Sequence, residues 1–138
     1  MKALIIGIDG LIGRALEVFL RVSGHEVVGT TKIAKKVSKQ VVYLDLDNDA
    51  SPAADLPKTD VAFFCAAMTK YDKCREDEQK ARRVNAVSPS ELATQLVKSH
   101  TRVVLLSTSA VLDCRSPRMR ADLPREAEIG RASCRERV

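Results

Sequence analysis

The chain has 138 residues, which suits one domain, and 45% of them are hydrophobic, which is enough to furnish a core. The formal net charge of +5 is mild and only 4% of the residues are aromatic, so the composition argues against nucleic-acid binding. No apolar run approaches the length of a membrane span, which argues against a membrane anchor. The four cysteines form no C-x-x-C pair, which argues against a zinc site. Without a secretory signal, we expect a cytoplasmic protein with reduced thiols.

The first elements in the chain are a strand, a glycine turn and a helix. Residues 2 to 6 form a near-continuous apolar run, as expected of a parallel strand that is buried on both faces. The turn Gly-Ile-Asp-Gly-Leu-Ile-Gly follows at residues 7 to 13. From residue 11 to residue 22 the apolar residues recur at helical spacing and share one face: Leu11, Ala15, Val18, Phe19 and Val22.

Strand and helix patterns continue to alternate after this unit. Apolar, β-branched runs predict strands at residues 26–30, 41–44, 61–65 and 102–107. A long helical pattern covers residues 72–98, and Pro89 is the candidate position for a break in it. The alternation predicts an α/β fold with a Rossmann-type, doubly wound parallel sheet, strand order 3-2-1-4-5 and a ligand at the carboxyl ends of the strands.

The glycine turn predicts a site for the pyrophosphate of a dinucleotide. Gly7 opens the turn, and the backbone N–H groups of Gly10, Leu11, Ile12 and Gly13 would approach the phosphates at the positive end of the helix. The alternative interpretation is an ordinary tight turn, which the preceding strand and the following helix make less favourable.

The end of the second strand is where this fold usually contacts the adenosine ribose. The residues there are Thr30, Thr31 and Lys32, with further lysines at positions 35, 36 and 39, and no carboxylate stands among them. This composition favours NADP(H) over NAD(H), because nothing in it would repel a 2′-phosphate. The alternative is that these lysines are solvated surface charge.

Three further motifs, combined with the G-x-x-G-x-x-G spacing, carry a family resemblance. They are Phe64 to Cys74, Ala81 to Ala86, and Leu106 to Asp113. Together they resemble the extended short-chain dehydrogenase/reductases of the dTDP-4-dehydrorhamnose reductase type. The resemblance implies NAD(P)-dependent reduction of a nucleotide-linked 4-keto sugar. An epimerase or dehydratase of the same fold, and a non-catalytic dinucleotide-binding subunit, are the alternatives.

The resemblance also implies roles for individual residues. Asp45 and Leu46 match positions that contact the adenine ring, although Asp45 could equally cap the next segment. The cofactor is expected to lie against the segment that follows the fourth strand, where the matching residues are Ala66, Ala67 and Thr69.

Two polar residues match positions of the family's active site. Thr108 corresponds to a threonine that assists the catalytic tyrosine, with a helix cap or turn as its alternative role. Asn85 corresponds to an asparagine that supports the active site, with a polar residue satisfied inside the core as the alternative.

The C-terminal end of the chain departs from the family. Residues 128–138, when back-translated, resemble a sequencing adapter read in frame, so we expect a non-native tail after a dinucleotide-binding part at residues 1–127; a natural basic tail is the alternative. The family's Tyr-x-x-x-Lys pair is missing, since neither Tyr43 nor Tyr71 has a lysine four residues later. We therefore expect this chain to be an inactive fragment of a longer protein. We expect the longer protein to bind a sugar-nucleotide substrate, and a homodimer is possible for it.

Overall fold

The computed structural model describes residues 1–48 and 56–106. No helix within these residues is long and apolar enough to cross a membrane. In chain order the elements are β1 (Lys2–Ile6), α1 (Leu11–Val22), β2 (Glu26–Thr31), a 3-10 turn (Ala34–Lys36), β3 (Val41–Tyr43), β4 (Val61–Phe64), α2 (Tyr71–Glu76), α3 (Glu78–Arg82), a π-helical turn (Arg83–Val87), α4 (Ser88–Lys98) and β5 (Arg102–Leu105).

The five strands form one parallel sheet in the order β3-β2-β1-β4-β5. This confirms the predicted Rossmann-type fold and its strand order. The chain moves outward from β1 to β2 and β3 on one side, and from β4 to β5 on the other, so the order reverses between β1 and β4. The carboxyl ends of these two strands therefore flank the crevice where ligands bind in such sheets.

The core lies on both faces of the sheet, because the side chains of successive strand residues point to opposite faces. On one face Leu4, Ile6 and Phe64 pack with Leu92 and Leu96 of α4. On the other face Ala3, Ile5, Ile8 and Val27 pack with Leu20 of α1. The central strand β1 contributes to both clusters, as its continuous apolar run predicted.

Helix α1 does not pack against the sheet through the face that its most obvious apolar spacing suggested. Leu11, Val18, Phe19 and Val22 of that face are 62% to 90% exposed. Its buried residues are Gly13 and Leu20, with Leu16 partly buried beside them. Gly13 explains which face of α1 packs inward, since the absence of a side chain at this position lets the helix approach the glycine turn closely.

The helical region before β5 is interrupted at Asp77 rather than at Pro89. Asp77 has the non-helical angles φ −141° and ψ 82°, and its side chain accepts a hydrogen bond from the backbone N–H of Lys80, which caps α3. Pro89 instead lies directly after the π-helical turn Arg83–Val87, in the first turn of α4, and the helical backbone continues through it.

Candidate functional site

Two loops form the candidate site at the carboxyl edge of the sheet. The first is the glycine turn, residues 7–13, which connects β1 to α1. The second is the β4 loop, which we define as residues 65–70, between β4 and α2. The two loops touch, because a side-chain carbon on Gly7 would lie 2.7 Å from Cβ of Ala66.

The glycine turn has no room for side chains at two of its positions. Gly7 has φ +84°, a left-handed conformation that favours glycine, and it packs against the backbone of Ala66. A Cβ on Gly13 would stand 2.3 Å from the carbonyl oxygen of Gly7. At Gly10 the nearest atom to a Cβ, the same oxygen, would be 3.4 Å away. The glycines at positions 7 and 13 are therefore required by packing.

The turn delivers the N-terminus of α1 to the crevice between β1 and β4. Gly10 is the N-cap residue and, having no side chain, provides no capping hydrogen bond to the first turn. The first backbone N–H groups of a helix have no partner within the helix. Leu11 and Ile12, the first helical residues, are 90% and 56% exposed. The structure thus brings Gly7, Gly10, Leu11, Ile12 and Gly13 together around donors that suit an anion.

The end of β2 holds the glycine turn in place through a buried hydroxyl. Thr30 is 1% exposed, and its Oγ1 accepts a hydrogen bond of 3.1 Å from the backbone N–H of Gly7. Its carbonyl accepts a second bond, 3.0 Å long, from the N–H of Ile8. Sequence reasoning predicted Thr30 as a cofactor contact, whereas its hydroxyl here has a positioning role beneath the turn.

A carboxylate lies at the end of β2, and sequence reasoning missed it. The hydroxyl of Thr31 donates a hydrogen bond to Oδ2 of Asp9, and Nζ of Lys36 lies 2.7 Å from Oδ1 of the same carboxylate. Asp9 belongs to the glycine turn, 22 residues before Thr31. The premise that no carboxylate is available beside the lysines that follow β2 to repel a 2′-phosphate is therefore wrong.

The Asp9 carboxylate is held in its charged form. The hydrogen bond from Lys36 and then that from Thr31 lower the pKa of Asp9, and the charge of Arg14 acts in the same direction. Lys32, the predicted site residue at this end of β2, is exposed. The cluster of Asp9, Thr31 and Lys36 therefore places a paired carboxylate and ammonium beside the end of β2.

The residues after β3 were predicted to contact the adenine ring. Asp45 is half-buried, and its Oδ1 accepts a hydrogen bond of 3.0 Å from the backbone N–H of Asp47, as in a capped turn. Leu46 is 6% exposed and belongs to the core cluster that contains Leu4 and Ile6. Both residues lie at the carboxyl edge, where Asp45 has the capping role that was the alternative to a ligand contact.

The β4 loop is fixed by the side chain of Asn85. The amide oxygen of Asn85 accepts a hydrogen bond of 2.7 Å from the N–H of Met68, and its Nδ2 donates one of 2.9 Å to the Met68 carbonyl. That carbonyl also accepts from Sγ of Cys74. Asn85 is 5% exposed, so it is a satisfied polar residue of the core whose partner is the β4 loop.

The predicted cofactor contacts of the β4 loop differ in exposure. Ala66 is half-buried beneath the glycine turn, whereas Ala67 and Thr69 are exposed at the edge of the crevice. Burial raises the pKa of the neighbouring Cys65 thiol. Thr108, the predicted assistant of a catalytic tyrosine, lies outside the described residues.

Comparison with known proteins places this arrangement in a family. The family model described as the RmlD substrate binding domain matches residues 1–125. The dTDP-4-dehydrorhamnose reductase of Mycolicibacterium smegmatis is 29% identical over 110 residues, which make up 80% of this chain and 31% of the relative.

Solved structures show the same likeness. The dTDP-4-dehydrorhamnose reductase of Clostridium acetobutylicum is 30% identical with a TM-score of 0.67, over 84% of this chain and 39% of that protein. MoeE5, solved in complex with UDP-glucuronic acid and NAD, is 25% identical with a TM-score of 0.70, over 96% of this chain and 46% of that one.

The chain spans only 31% to 39% of the length of the curated relatives it matches. The family match nevertheless covers most of the chain, including the glycine turn, the β4 loop and Asn85. The chain therefore belongs to the RmlD substrate binding domain family.

Proposed function

We propose that this chain binds a nicotinamide dinucleotide at the carboxyl edge of its sheet, with the pyrophosphate at the N-terminus of α1. The observation that carries the proposal is the glycine turn, whose positions 7 and 13 exclude a side-chain carbon and whose N-cap residue has no side chain. Such a turn lets a phosphate approach the backbone N–H groups, and the helix dipole favours its negative charge. MoeE5, which shares the fold at 25% identity, was solved with NAD.

Each predicted site residue has a place in this proposal. The glycine turn would hold the pyrophosphate through backbone N–H groups of Leu11, Ile12 and Gly13, since the N–H of Gly10, also predicted as a contact, donates to the Gly7 carbonyl at 3.1 Å and closes the turn. The end of β2 would face the adenosine ribose, with Thr30 and Thr31 supporting the turn and Lys32 at the rim. The remaining contacts would come from the β4 loop, where Ala67 and Thr69 are exposed and Ala66 lies beneath the glycine turn. Asp45 and Leu46 would lie at the adenine end, with Asp45 capping its own turn and Leu46 buried in the core.

We further propose that the activity to which this chain contributes is reduction of a nucleotide-linked 4-keto sugar. The match to the family and the likeness to dTDP-4-dehydrorhamnose reductases support it. The bound dinucleotide would supply a hydride. Asn85 would position the β4 loop, and Thr108 would assist proton transfer. Because the 138 residues contain no Tyr-x-x-x-Lys pair, we expect this chain alone to bind the dinucleotide without turnover.

The choice between NADP(H) and NAD(H) remains a prediction. The preference for NADP(H) rests on the lysines at and after the end of β2, including Lys32 and Lys36. Asp9 acts against this preference, because its carboxylate accepts the Lys36 ammonium at 2.7 Å.

The organisation of the chain is also proposed. Residues 1–127 would be the N-terminal part of the dinucleotide-binding domain, and residues 128–138 a non-native tail. A cytoplasmic location, a homodimer and the absence of nucleic-acid partners remain predictions from the sequence.

A substitution at the helix N-cap tests the proposed binding site. Asp is a favourable N-cap residue, and Gly10 has the extended angles φ −70° and ψ 164° that suit it. The Gly10→Asp carboxylate would occupy the helix N-terminus and repel a pyrophosphate. We expect NADH and NADPH to bind the unmodified chain in calorimetry, and Gly10→Asp to weaken both by about tenfold or more while the melting temperature stays equal or rises.

The matched control is Ser23→Asp, which adds the same charge at the opposite end of α1, where Ser23 is exposed. We expect it to leave the affinity for both nucleotides unchanged. Binding that is equal in the two variants, or the absence of binding in the unmodified chain, would contradict the proposed site.

A further inference from the structure

We propose that Asp9 determines how this site discriminates between nucleotides with and without a 2′-phosphate on the adenosine ribose. The inference rests on the proposed function, since it concerns the same dinucleotide site. In doubly wound sheets the acid that contacts the ribose usually comes from the end of the second strand. Here β2 ends in Thr30 and Thr31, and the carboxylate comes from the glycine turn instead.

The geometry fixes the carboxylate at that position. Asp9 accepts a hydrogen bond from the hydroxyl of Thr31, which is 2% exposed, and the same hydroxyl accepts a bond of 3.1 Å from the N–H of Ile33. The side chain of Asp9 is nevertheless 29% exposed. A buried and doubly bonded threonine thus orients a carboxylate that still faces the solvent side of the carboxyl edge.

The charge balance then decides which ribose is accepted. A ribose with a free 2′-hydroxyl could donate a hydrogen bond to Asp9, whereas a 2′-phosphate would bring negative charge against it. Lys36 is a cation at the end of β2 that could neutralise that phosphate, and its Nζ is already paired with Asp9 at 2.7 Å. Asp9 therefore disfavours the 2′-phosphate in two ways: its carboxylate repels the phosphate, and it already pairs with the Lys36 ammonium that would otherwise neutralise the phosphate.

The discriminating experiment measures two ligands that differ only in the 2′-phosphate. ADP-ribose and 2′-phospho-ADP-ribose contain the adenosine and pyrophosphate halves of the dinucleotides and lack the nicotinamide. Their dissociation constants are measured by calorimetry on the 138-residue chain, on Asp9→Asn and on Lys36→Met. We expect Asp9→Asn to shift the affinity ratio toward the phosphorylated ligand by about tenfold, and Lys36→Met to shift it the opposite way.

Glu17→Gln is the matched control. Glu17 also forms an ion pair, with Arg21 at 3.0 Å, but it lies within α1, away from the end of β2, so its removal should leave the ratio unchanged. Thermal melts verify that each variant is folded. A ratio for Asp9→Asn within about twofold of the unmodified chain overturns this inference while leaving the proposed function intact. Failure of both ligands to bind the unmodified chain overturns the proposed function, and this inference with it.

Discussion

The two loops at the carboxyl edge of the sheet are held by different means. The glycine turn is held mainly by close backbone packing that leaves no room for a side chain, since Gly7 packs on Ala66 and Gly13 packs on the carbonyl of Gly7. The β4 loop is held by the presence of one side chain, the Asn85 amide that bonds both backbone groups of Met68. The first loop therefore excludes a side chain at Gly7 and Gly13, while the second depends on one side-chain amide that a substitution can remove.

Gly13→Ala is expected to have the largest effect on this comparison. Replacing Gly by Ala inside a helix usually stabilises it by about 1 kcal/mol. Here the new Cβ would lie 2.3 Å from the Gly7 carbonyl oxygen, so the turn must move. We expect a net loss of about 3 kcal/mol in the free energy of unfolding, measured by urea denaturation.

Gly10→Ala is the control for that prediction, because its Cβ would lie 3.4 Å from the same oxygen and the backbone angles suit alanine. We expect it to change the free energy of unfolding by less than about 1 kcal/mol. Similar losses in the two variants would show that the close approach at Gly13 does not limit the turn.

Asn85→Ala is expected to have the next largest effect, now on the β4 loop. It removes both hydrogen bonds to Met68 and leaves the Met68 N–H without its amide acceptor. We expect a loss of about 2 to 4 kcal/mol in the free energy of unfolding. Amide hydrogen exchange at Met68 should also accelerate more than exchange at Gly7.

The local measurement separates this role from a general loss of core packing. Asn85→Ala also leaves space in the core, which would accelerate exchange throughout the molecule. A uniform increase at Met68 and in β1 would mean that Asn85 stabilises the core without specifically holding the β4 loop.

The comparison also explains which features could be predicted from the sequence. The sheet order and the glycine turn follow from local rules, namely apolar runs of strand length and glycines between a strand and a helix. The role of Asn85 depends on the π-helical turn Arg83–Val87, which departs from the regular helical period and carries Asn85 into the core. A helical wheel drawn through this region therefore could not orient Asn85.

Asp9 was missed for a different reason. Its partners Thr31 and Lys36 lie 22 and 27 residues later in the chain. Contacts between separate loops at one sheet edge have no local signature. A usable signal exists nonetheless, because a polar residue in the loop after β1 lies at the same edge as the end of the neighbouring parallel strand β2.

Thr30→Val tests the side chain that bonds the backbone of the glycine turn at Gly7. Valine has nearly the same shape, but it cannot accept the 3.1 Å hydrogen bond from the Gly7 N–H. We expect a loss of about 1 to 2 kcal/mol in the free energy of unfolding, smaller than for Asn85→Ala because one bond is lost instead of two. Thr94→Val, at an exposed position of α4, should cost less than about 0.5 kcal/mol. Equal losses in the free energy of unfolding for the two variants would show that the Thr30 hydroxyl does not stabilise the turn.

The smallest expected effect is the pH dependence that Asp9 confers on the glycine turn. The bonds from Lys36 and Thr31 lower the pKa of Asp9 in the folded chain below its unfolded value. A lowered folded pKa means that the unfolded state binds the proton more readily. The stabilisation is therefore complete above the unfolded pKa and is lost as the pH falls through the folded pKa.

Asp9→Asn isolates this contribution, because asparagine does not titrate and the other ionisable groups are shared. We expect the unmodified chain to exceed the variant in free energy of unfolding by less than about 1 kcal/mol at pH 7, since both partners are partly exposed. Denaturation curves at about pH 7, 5 and 3 should show this difference holding to about pH 5 and then shrinking. If the difference in free energy of unfolding grew as the pH falls, the charged Asp9 carboxylate would destabilise the turn. The glycine turn would then gain no stability from the Asp9 side chain, whereas the β4 loop does gain stability from Asn85.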